Sequence, residues 1–274
     1  MDAHPHRSRH GAPGLEDGPL LAGRSAQPML VNVALVPGEA RRWGQKLCVV
    51  VDVLRASSMI VTLLDRGCRA VVPAGSLAEA RRLARQDGSL LAGEHNVVRP
   101  PGFDFGNSPS EIAGEEFSGQ TAVLSTRNGT AVLRSLRNAP TVVIGCLLNA
   151  TACGRYAFTQ ARRSGMSIGI VCAGRDGSFA LDDAVAAGLL VESIVTAGAL
   201  ESGECVLSDA ARAARSLWSG SPDLLAALRE STGGRMLAAH GLDEDAVVCA
   251  RADTSSVVPL LVGTAPPRLE QATA

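Results

Sequence analysis

The sequence predicts an α/β protein: three layers, α/β/α, around a largely parallel or mixed central sheet, with a more helical C-terminal half. Three observations lead there. Short apolar runs alternate with helix-length segments up to about Cys172, those runs are mostly continuous rather than alternating, and from Ala180 onward the chain turns Ala-rich. Continuous apolar strands belong to sheets covered on both faces, and the order βαβα implies a parallel core.

Taken in order, Leu30 to Leu35, Leu47 to Val53, Ala70 to Pro73, Ala122 to Ser125, Val142 to Gly145 and Ser167 to Cys172 read as strands. Between them, Ser57 to Arg66, Ser76 to Gln86, Gly129 to Leu136 and Leu148 to Arg163 carry helical spacing and good helix formers. Helical stretches follow at Leu181 to Ala199, Ser208 to Trp218, Pro222 to Glu230 and Arg235 to Ala239, punctuated by Ser221-Pro222 and by Ser231-Thr232-Gly233-Gly234. No fixed-period repeat stands out, while two packed α/β halves stay open. Residues 1–28 mix His, Pro, Gly and Arg without a signal-length apolar stretch and read as a flexible extension. Residues 29–264 form the α/β domain, and 265–274 a C-terminal tail.

At 274 residues, 46% apolar and 19% charged, the chain can bury a substantial core. A net charge of -1 gives no overall pull toward nucleic acid or anionic membrane. Affinity for an anion must then come from a local site, and the expected partners are small molecules. No apolar run reaches the roughly 20 residues of a membrane span. Cysteines 48, 68, 146, 153, 172, 205 and 249 show no CxxC or Cys/His ligand spacing. Within apolar runs they behave as small hydrophobes, so reduced thiols and a cytoplasmic location are expected.

In a parallel α/β fold, ligands bind beyond the carboxyl ends of the strands. Five such segments carry groups suited to a multiply anionic, phosphorylated ligand. In Val51-Asp52-Val53-Leu54-Arg55-Ala56-Ser57-Ser58 a strand delivers a carboxylate, a guanidinium and two hydroxyls at a helix start. Asp52 suits a hard cation or attack on phosphorus, Arg55 a bidentate contact with phosphate or sulfonate, and Ser57 and Ser58 an anion pocket. A purely structural reading also fits: Ser57 as helix cap and Asp52 paired with Arg55. Gly93-Glu94-His95 comes second. Third is Gly102 to Glu111, where Asp104 stands between Phe103 and Phe105, and Gly106-Asn107-Ser108-Pro109 fits a turn into a helix capped by Ser108.

The fourth segment, Ser125-Thr126-Arg127-Asn128-Gly129-Thr130, sets hydroxyls, an amide and a glycine where backbone N–H groups approach a phosphate. The fifth, Cys172 to Asp183, is a Gly-rich loop through Gly174 that feeds Asp182 and Asp183 into the first turn of a helix. Neighbours on a helix point about 100° apart, so one of the two is expected to face the site. Familiar templates fail here. A dehalogenase-type phosphatase needs a second Asp where Leu54 stands and a later Lys, yet the lone lysine is Lys46. There is no GxxxxGK[ST] loop, no convincing GxGxxG after a strand and no CxxxxxR loop.

Taken together, VDVLRASS (51–58), GE (93–94), GFDFGNSP (102–109), TRNGT (126–130) and AGRDGSFALDDAVAAG (173–188) resemble the 2-phosphosulfolactate phosphatase family, and the likeness runs on through Leu207 to Ala211, Gly241 to Asp245 and Val257 to Pro259. The resemblance implies an α/β/α fold and Mg²⁺-dependent hydrolysis of (2R)-2-phospho-3-sulfolactate to 3-sulfolactate and phosphate, a step of coenzyme M biosynthesis. Two positions depart from the family pattern: His95-Asn96-Val97-Val98 follows Gly-Glu where basic sequence is usual, and Arg127 stands where a hydroxyl is common.

On this expectation Asp52, Glu94 and Asp183 hold Mg²⁺. Arg55 and the Thr126–Thr130 turn, with Asn128 and Gly129, stabilise charge on the phosphoryl oxygens. Asp104 serves as general acid or base beside Asn107. Ser57, Ser58, Ser108, Thr126, Gly129, Thr130 and Gly174 complete the substrate pocket. Two alternatives are a phosphatase for another small phosphorylated hydroxy acid and a non-catalytic anion-binding relative. The Ala-rich half offers a surface for a homo-oligomer.

Overall fold

The apolar runs become strands of a single sheet, and the computed structural model describes residue 1, residues 28–263 and residues 266–273. The extension expected over residues 1–28 lies, apart from its ends, outside the described residues. In chain order the strands are β1 (Met29–Ala34), β2 (Leu47–Val51), β3 (Ala70–Ala74), β4 (Leu90–Gly93), β5 (Thr121–Ser125), β6 (Thr141–Ile144), β7 (Ile168–Cys172), β8 (Cys205–Leu207), β9 (Pro259–Val262) and β10 (Arg268–Gln271). The helices are α1 (Ala56–Asp65), α2 (Leu77–Asp87), α3 (Asn128–Ser135), α4 (Ala150–Ser164), α5 (Leu181–Leu200), α6 (Asp209–Ser219), α7 (Leu224–Glu230), α8 (Thr232–Ala239) and α9 (Asp243–Cys249).

The strand order is β4-β5-β3-β10-β9-β6-β2-β7-β1-β8. Pairing is parallel within β4-β5-β3 and within β6-β2-β7-β1-β8. It is antiparallel at β3–β10, β10–β9 and β9–β6. The two parallel blocks therefore run in opposite directions, with the β9–β10 hairpin as the seam between them.

This order contains one unit twice. β2-α1-β3-α2-β4 ends in a tight turn bridged at His95 and Val98, and β5-α3-β6-α4-β7 ends in a tight turn bridged at Arg175 and Ser178. Pairings correspond as well: β2 lies between β6 and β7 as β5 lies between β3 and β4. Both turns use left-handed backbone at the same two places, Asn96 and Val97 in one, Asp176 and Gly177 in the other. The repeat escapes inspection because what recurs is an apolar pattern, while the residues at the strand ends differ.

Every residue of β2 is buried. On one face Leu47, Val49 and Val51 join a core with Phe158 of α4 and Leu190 and Ile194 of α5, while on the other Cys48 and Val50 join Met59 and Leu63 of α1. A smaller core packs α2 through Ala80 and Ala84 on Val72, Ala74 and Leu91. Among the described residues α5 is the one helix long and apolar enough to cross a membrane, and it matches the helical stretch expected from Leu181 to Ala199. Its buried face, including Ala186, Leu190, Val191 and Ile194, lies in the core. All seven cysteines are free thiols. Burial pushes the Cys146 thiol up to about 11, which keeps it protonated and unreactive.

Three features differ from expectation. The segment expected to be a C-terminal tail contributes β10, which pairs Leu269 with Val71 of β3 and runs beside β9 from Arg268 to Gln271. Its alternation of exposed and buried side chains is too short to stand out in sequence. Ser108-Pro109 opens a run of turns over 109–114 rather than a helix. The polar groups that would grow a helix are committed elsewhere: the Ser108 and Ser110 hydroxyls bind Asp245, and the Glu111 carboxylate accepts from Gly106 N–H at 2.7 Å. Finally, α1 starts at Ala56 with no side-chain cap, so Ser57 does not cap it.

Candidate active site

The chain leaves β2 at Asp52, 8% exposed, and enters α1 four residues later. Asp52 Oδ1 accepts the Ala56 N–H at 3.3 Å, and the Gly129 N–H at the start of α3 is a second donor. A β-carbon at Gly129 would stand 3.0 Å from Asp52 Oδ2 and 2.9 Å from the Ala56 β-carbon. Glycine is what lets the N-terminus of α3 close on the carboxylate. The Leu54–Arg55 peptide is cis.

Burial pushes Asp52 up to about 6, helped by the charges of Asp182 and Glu94 and opposed by the Ala56 and Gly129 N–H groups. Asp182 is raised by burial, against hydrogen bonds from its own N–H and the Ser231 hydroxyl. Asp183 is raised well above its ordinary value by burial and then by Asp182 and Asp52. These carboxylates are packed closer than water alone would favour.

Two adjoining cavities meet at Asp52. The first, of about 260 Å³, is rich in donors: Arg55, Arg127, Arg175, Asn107 and Asn128 line it with Glu94. The second, of about 300 Å³, is acidic, with Asp182 and Asp183 beside Gly174 and Gly233. Asp52, Asn128 and Arg175 belong to both. Residues after β2 and β7 from one block, and after β4 and β5 from the other, thus converge although the blocks point in opposite directions.

Arg55 is buried and does not pair with Asp52. Its Nη1 donates to Asp245 Oδ2 at 2.6 Å and its Nη2 to the Val97 carbonyl at 2.7 Å. Val97 has φ 75°, where its counterpart in the repeated turn is Gly177 at 81°. A β-branched residue in the left-handed region is strained by about 1–2 kcal/mol, and the Val97 N–H is held there by Glu94 at 2.8 Å. Arg127, exposed, reaches both turns: Nη2 donates to Asn96 at 2.8 Å and Nη1 lies 3.5 Å from Asp176. Among the described residues Asn107 Oδ1 is buried without a hydrogen-bond partner.

Of the residues singled out by sequence, Asp52, Arg55, Glu94, Asn107, Thr126, Asn128, Gly174 and Asp183 line these cavities. Others do not. Asp104 is exposed, and its carboxylate accepts the Leu91 N–H of β4 at 2.8 Å. Ser57 Oγ accepts from Asp52 N–H at 2.8 Å and Ser58 Oγ donates to the Val53 carbonyl at 2.8 Å, so both hydroxyls brace the turn. Ser108 is committed to Asp245 at 2.7 Å, and Thr130 meets Thr126 at 3.2 Å. Gly129 acts through its N–H on Asp52.

Asp183 gives one oxygen to Val53 N–H at 2.8 Å and the other to Gly174 N–H at 2.9 Å, tying the ends of β2 and β7 together. Gly174 is required at this place: its φ is 62°, and a β-carbon would stand 2.2 Å from the Ser178 carbonyl oxygen. Both neighbouring aspartates line the acidic cavity, where one was expected. Sequence reasoning passed over the site roles of Asp245 and of three residues that wall the donor-rich cavity: Arg175, Met236 of α8 and His240 just after it. Strand-end position, the signal used, finds only Arg175 among these.

A strand-end cleft that joins clustered carboxylates to guanidinium and amide donors defines an α/β protein equipped to handle a small anion, the architecture of a phosphoester-hydrolysing enzyme. The chain belongs to the 2-phosphosulpholactate phosphatase family, a family of phosphoric monoester hydrolases, whose model matches residues 35–264. It is 39% identical over 219 residues to a probable 2-phosphosulfolactate phosphatase of Deinococcus radiodurans, covering 79% of this chain and 88% of that one. It is 35% identical over 235 residues to the protein of the same name from Pseudothermotoga lettingae, covering 85% and 96%. The Thermus thermophilus protein, likewise so named, is 36% identical over 236 residues, covering 86% and 95%.

Proposed function

We propose that this enzyme is a magnesium-dependent phosphatase that hydrolyses (2R)-2-phospho-3-sulfolactate to 3-sulfolactate and phosphate. One observation carries the reading: Asp52 stands where an acidic cavity and a donor-rich cavity meet. A phosphoester with further anionic groups needs guanidinium and amide donors for its oxygens. A cation beside it needs hard oxygen ligands.

Among the described residues no three His, Cys, Asp or Glu are gathered into a ready ligand group. That fits Mg²⁺, which is usually held by one or two carboxylates together with water and substrate phosphate rather than by a protein cage. Asp52 is the natural ligand, with Glu94 or Asp182, whose charges it already feels. Asp183, expected as a ligand, has both oxygens engaged by backbone N–H groups and braces the strand ends. Asn107, whose side-chain oxygen has no partner among the described residues, lines the same cavity. Bound there, Mg²⁺ offsets charge and polarises the phosphate oxygens.

Arg55 presents its remaining N–H groups to the phosphoryl oxygens, where charge develops during transfer. Arg127 and Arg175, at the mouth, suit the carboxylate and sulfonate. Asp104, held against β4 away from the cleft, takes no part. The test is phosphate release from synthetic phosphosulfolactate with and without Mg²⁺, beside phospholactate and phosphoglycerates. Preference by kcat/KM for phosphosulfolactate supports the assignment. A stronger preference for another phosphorylated hydroxy acid reassigns the substrate, and no release from any of them defeats the phosphatase reading for this chain.

A further inference from the structure

Arg55 reaches the cleft only because other segments hold it there, and its principal holder is 190 residues away in sequence. Asp245, on α9, is fully buried and wholly engaged. Its Oδ2 takes Arg55 Nη1 at 2.6 Å, and its Oδ1 takes the Ser108 hydroxyl at 2.7 Å, the Ser110 hydroxyl at 2.7 Å and the Ser110 N–H at 3.0 Å. The Val97 carbonyl fixes the other arm of the guanidinium at 2.7 Å. Two of the five N–H groups of an arginine are thus spent on the protein, and the rest stay with a group that lines the donor-rich cavity.

We infer that Asp245 is a positioning residue for the reaction: with Ser108 and Ser110 it orients and charge-balances the Arg55 guanidinium so that its free edge meets the phosphoryl group. A buried ion pair is weak evidence of stabilisation, because desolvation offsets the attraction. Here the pair is built into the wall of a polar cleft, with its acceptor oxygens filled by donors from a separate turn. That arrangement fixes direction. Asp245 lines neither of the two cavities and acts through Arg55. The inference rests on reading the cleft as the phosphate site.

A double-mutant cycle in the full chain tests it, with Asp245→Asn, Arg55→Gln and the pair. Asp245→Asn keeps the shape but removes the charge that holds the guanidinium. It is expected to lower kcat/KM by about 10–100-fold, as loss of outer-shell partners does. In the Arg55→Gln background the same change is expected to have little further effect, since residues acting as a unit are non-additive. Equal effects in both backgrounds, or a kcat/KM for Asp245→Asn within about twofold of wild type, overturn the inference.

Should Asp245→Asn fail to fold, Ser108→Ala/Ser110→Ala, which keeps the ion pair and removes two orienting donors, enters the same cycle and is judged the same way. The cycle is also read on the Kd of inorganic phosphate by calorimetry. Wild type that binds phosphate without turnover, with the same non-additivity, retains this inference and defeats the phosphatase reading. Turnover with an additive cycle defeats this inference alone. Neither turnover nor phosphate binding defeats both.

Discussion

Asp52 stands in an unfavourable place for a carboxylate. Its folded value of about 6, against 3.8 ordinarily, means the metal-free folded state binds the proton more tightly than the unfolded chain. The sign follows: the stability contribution is complete below about pH 3.8 and is lost as pH rises through about 6. A difference of that size between folded and unfolded chain corresponds to on the order of 3 kcal/mol. Melting of chelator-treated protein is therefore expected to fall across that window, and Asp52→Asn to remove part of the fall. An unchanged profile in the variant contradicts this account. The same variant is expected to be more stable than wild type without metal, yet to lose at least about 10³-fold in hydrolysis, since metal and charge effects are worth several kcal/mol at about 1.36 per decade. Near-full activity would remove Asp52 from the reacting centre. Asp52 and Arg55 were legible in sequence because a strand end is a local signal. Asp245 was not, because its role exists only once α9 folds back on the β2–α1 turn.

At the scale of elements, the cleft depends on how closely α3 approaches α1. Gly129→Ala would press a methyl against Asp52 Oδ2 and the Ala56 β-carbon. Overpacking of this kind typically destabilises by about 1–3 kcal/mol. The expected result is a modest drop in melting temperature with a disproportionate, more than about tenfold, loss of kcat/KM, because the displaced atoms belong to the site. Parallel loss of both would mean that α3 is merely destabilised. Strands buried on both faces, such as β2 and β7, were legible as continuous apolar runs. The edge strand β8, three residues long, was too short to stand out, and β9, although it lies in the apolar run Val257 to Val262, contains Pro259, which argues against a strand. The 109–114 turns misled for the opposite reason: a good capping sequence was overruled by tertiary partners.

For the whole molecule, the last strand is structural. Ending the chain after Gly263 removes β10 from between β3 and β9, leaving two central strands with open edges. Such edges promote aggregation, so the truncated chain is expected to be insoluble or unfolded in a solubility and circular-dichroism assay. A soluble, active product would restore the tail reading. Fold class was legible because layer architecture follows from apolar patterning. The opposed blocks were not, because strand direction depends on the seam formed by the last residues of the chain.

The crossovers give the repeated unit a further meaning. β2 and β3 lie in different blocks, as do β5 and β6, so each unit threads from one side to the other, in the manner of an exchanged dimer fused into one polypeptide. A true symmetric pair would have to present the same residue twice across its axis. Fusion lifts that restriction: Asp52 follows β2 where Thr126 follows β5, and Glu94 follows β4 where Ala173 and Gly174 follow β7. A cleft at such a junction can gather carboxylates on one side and guanidinium and amide donors on the other.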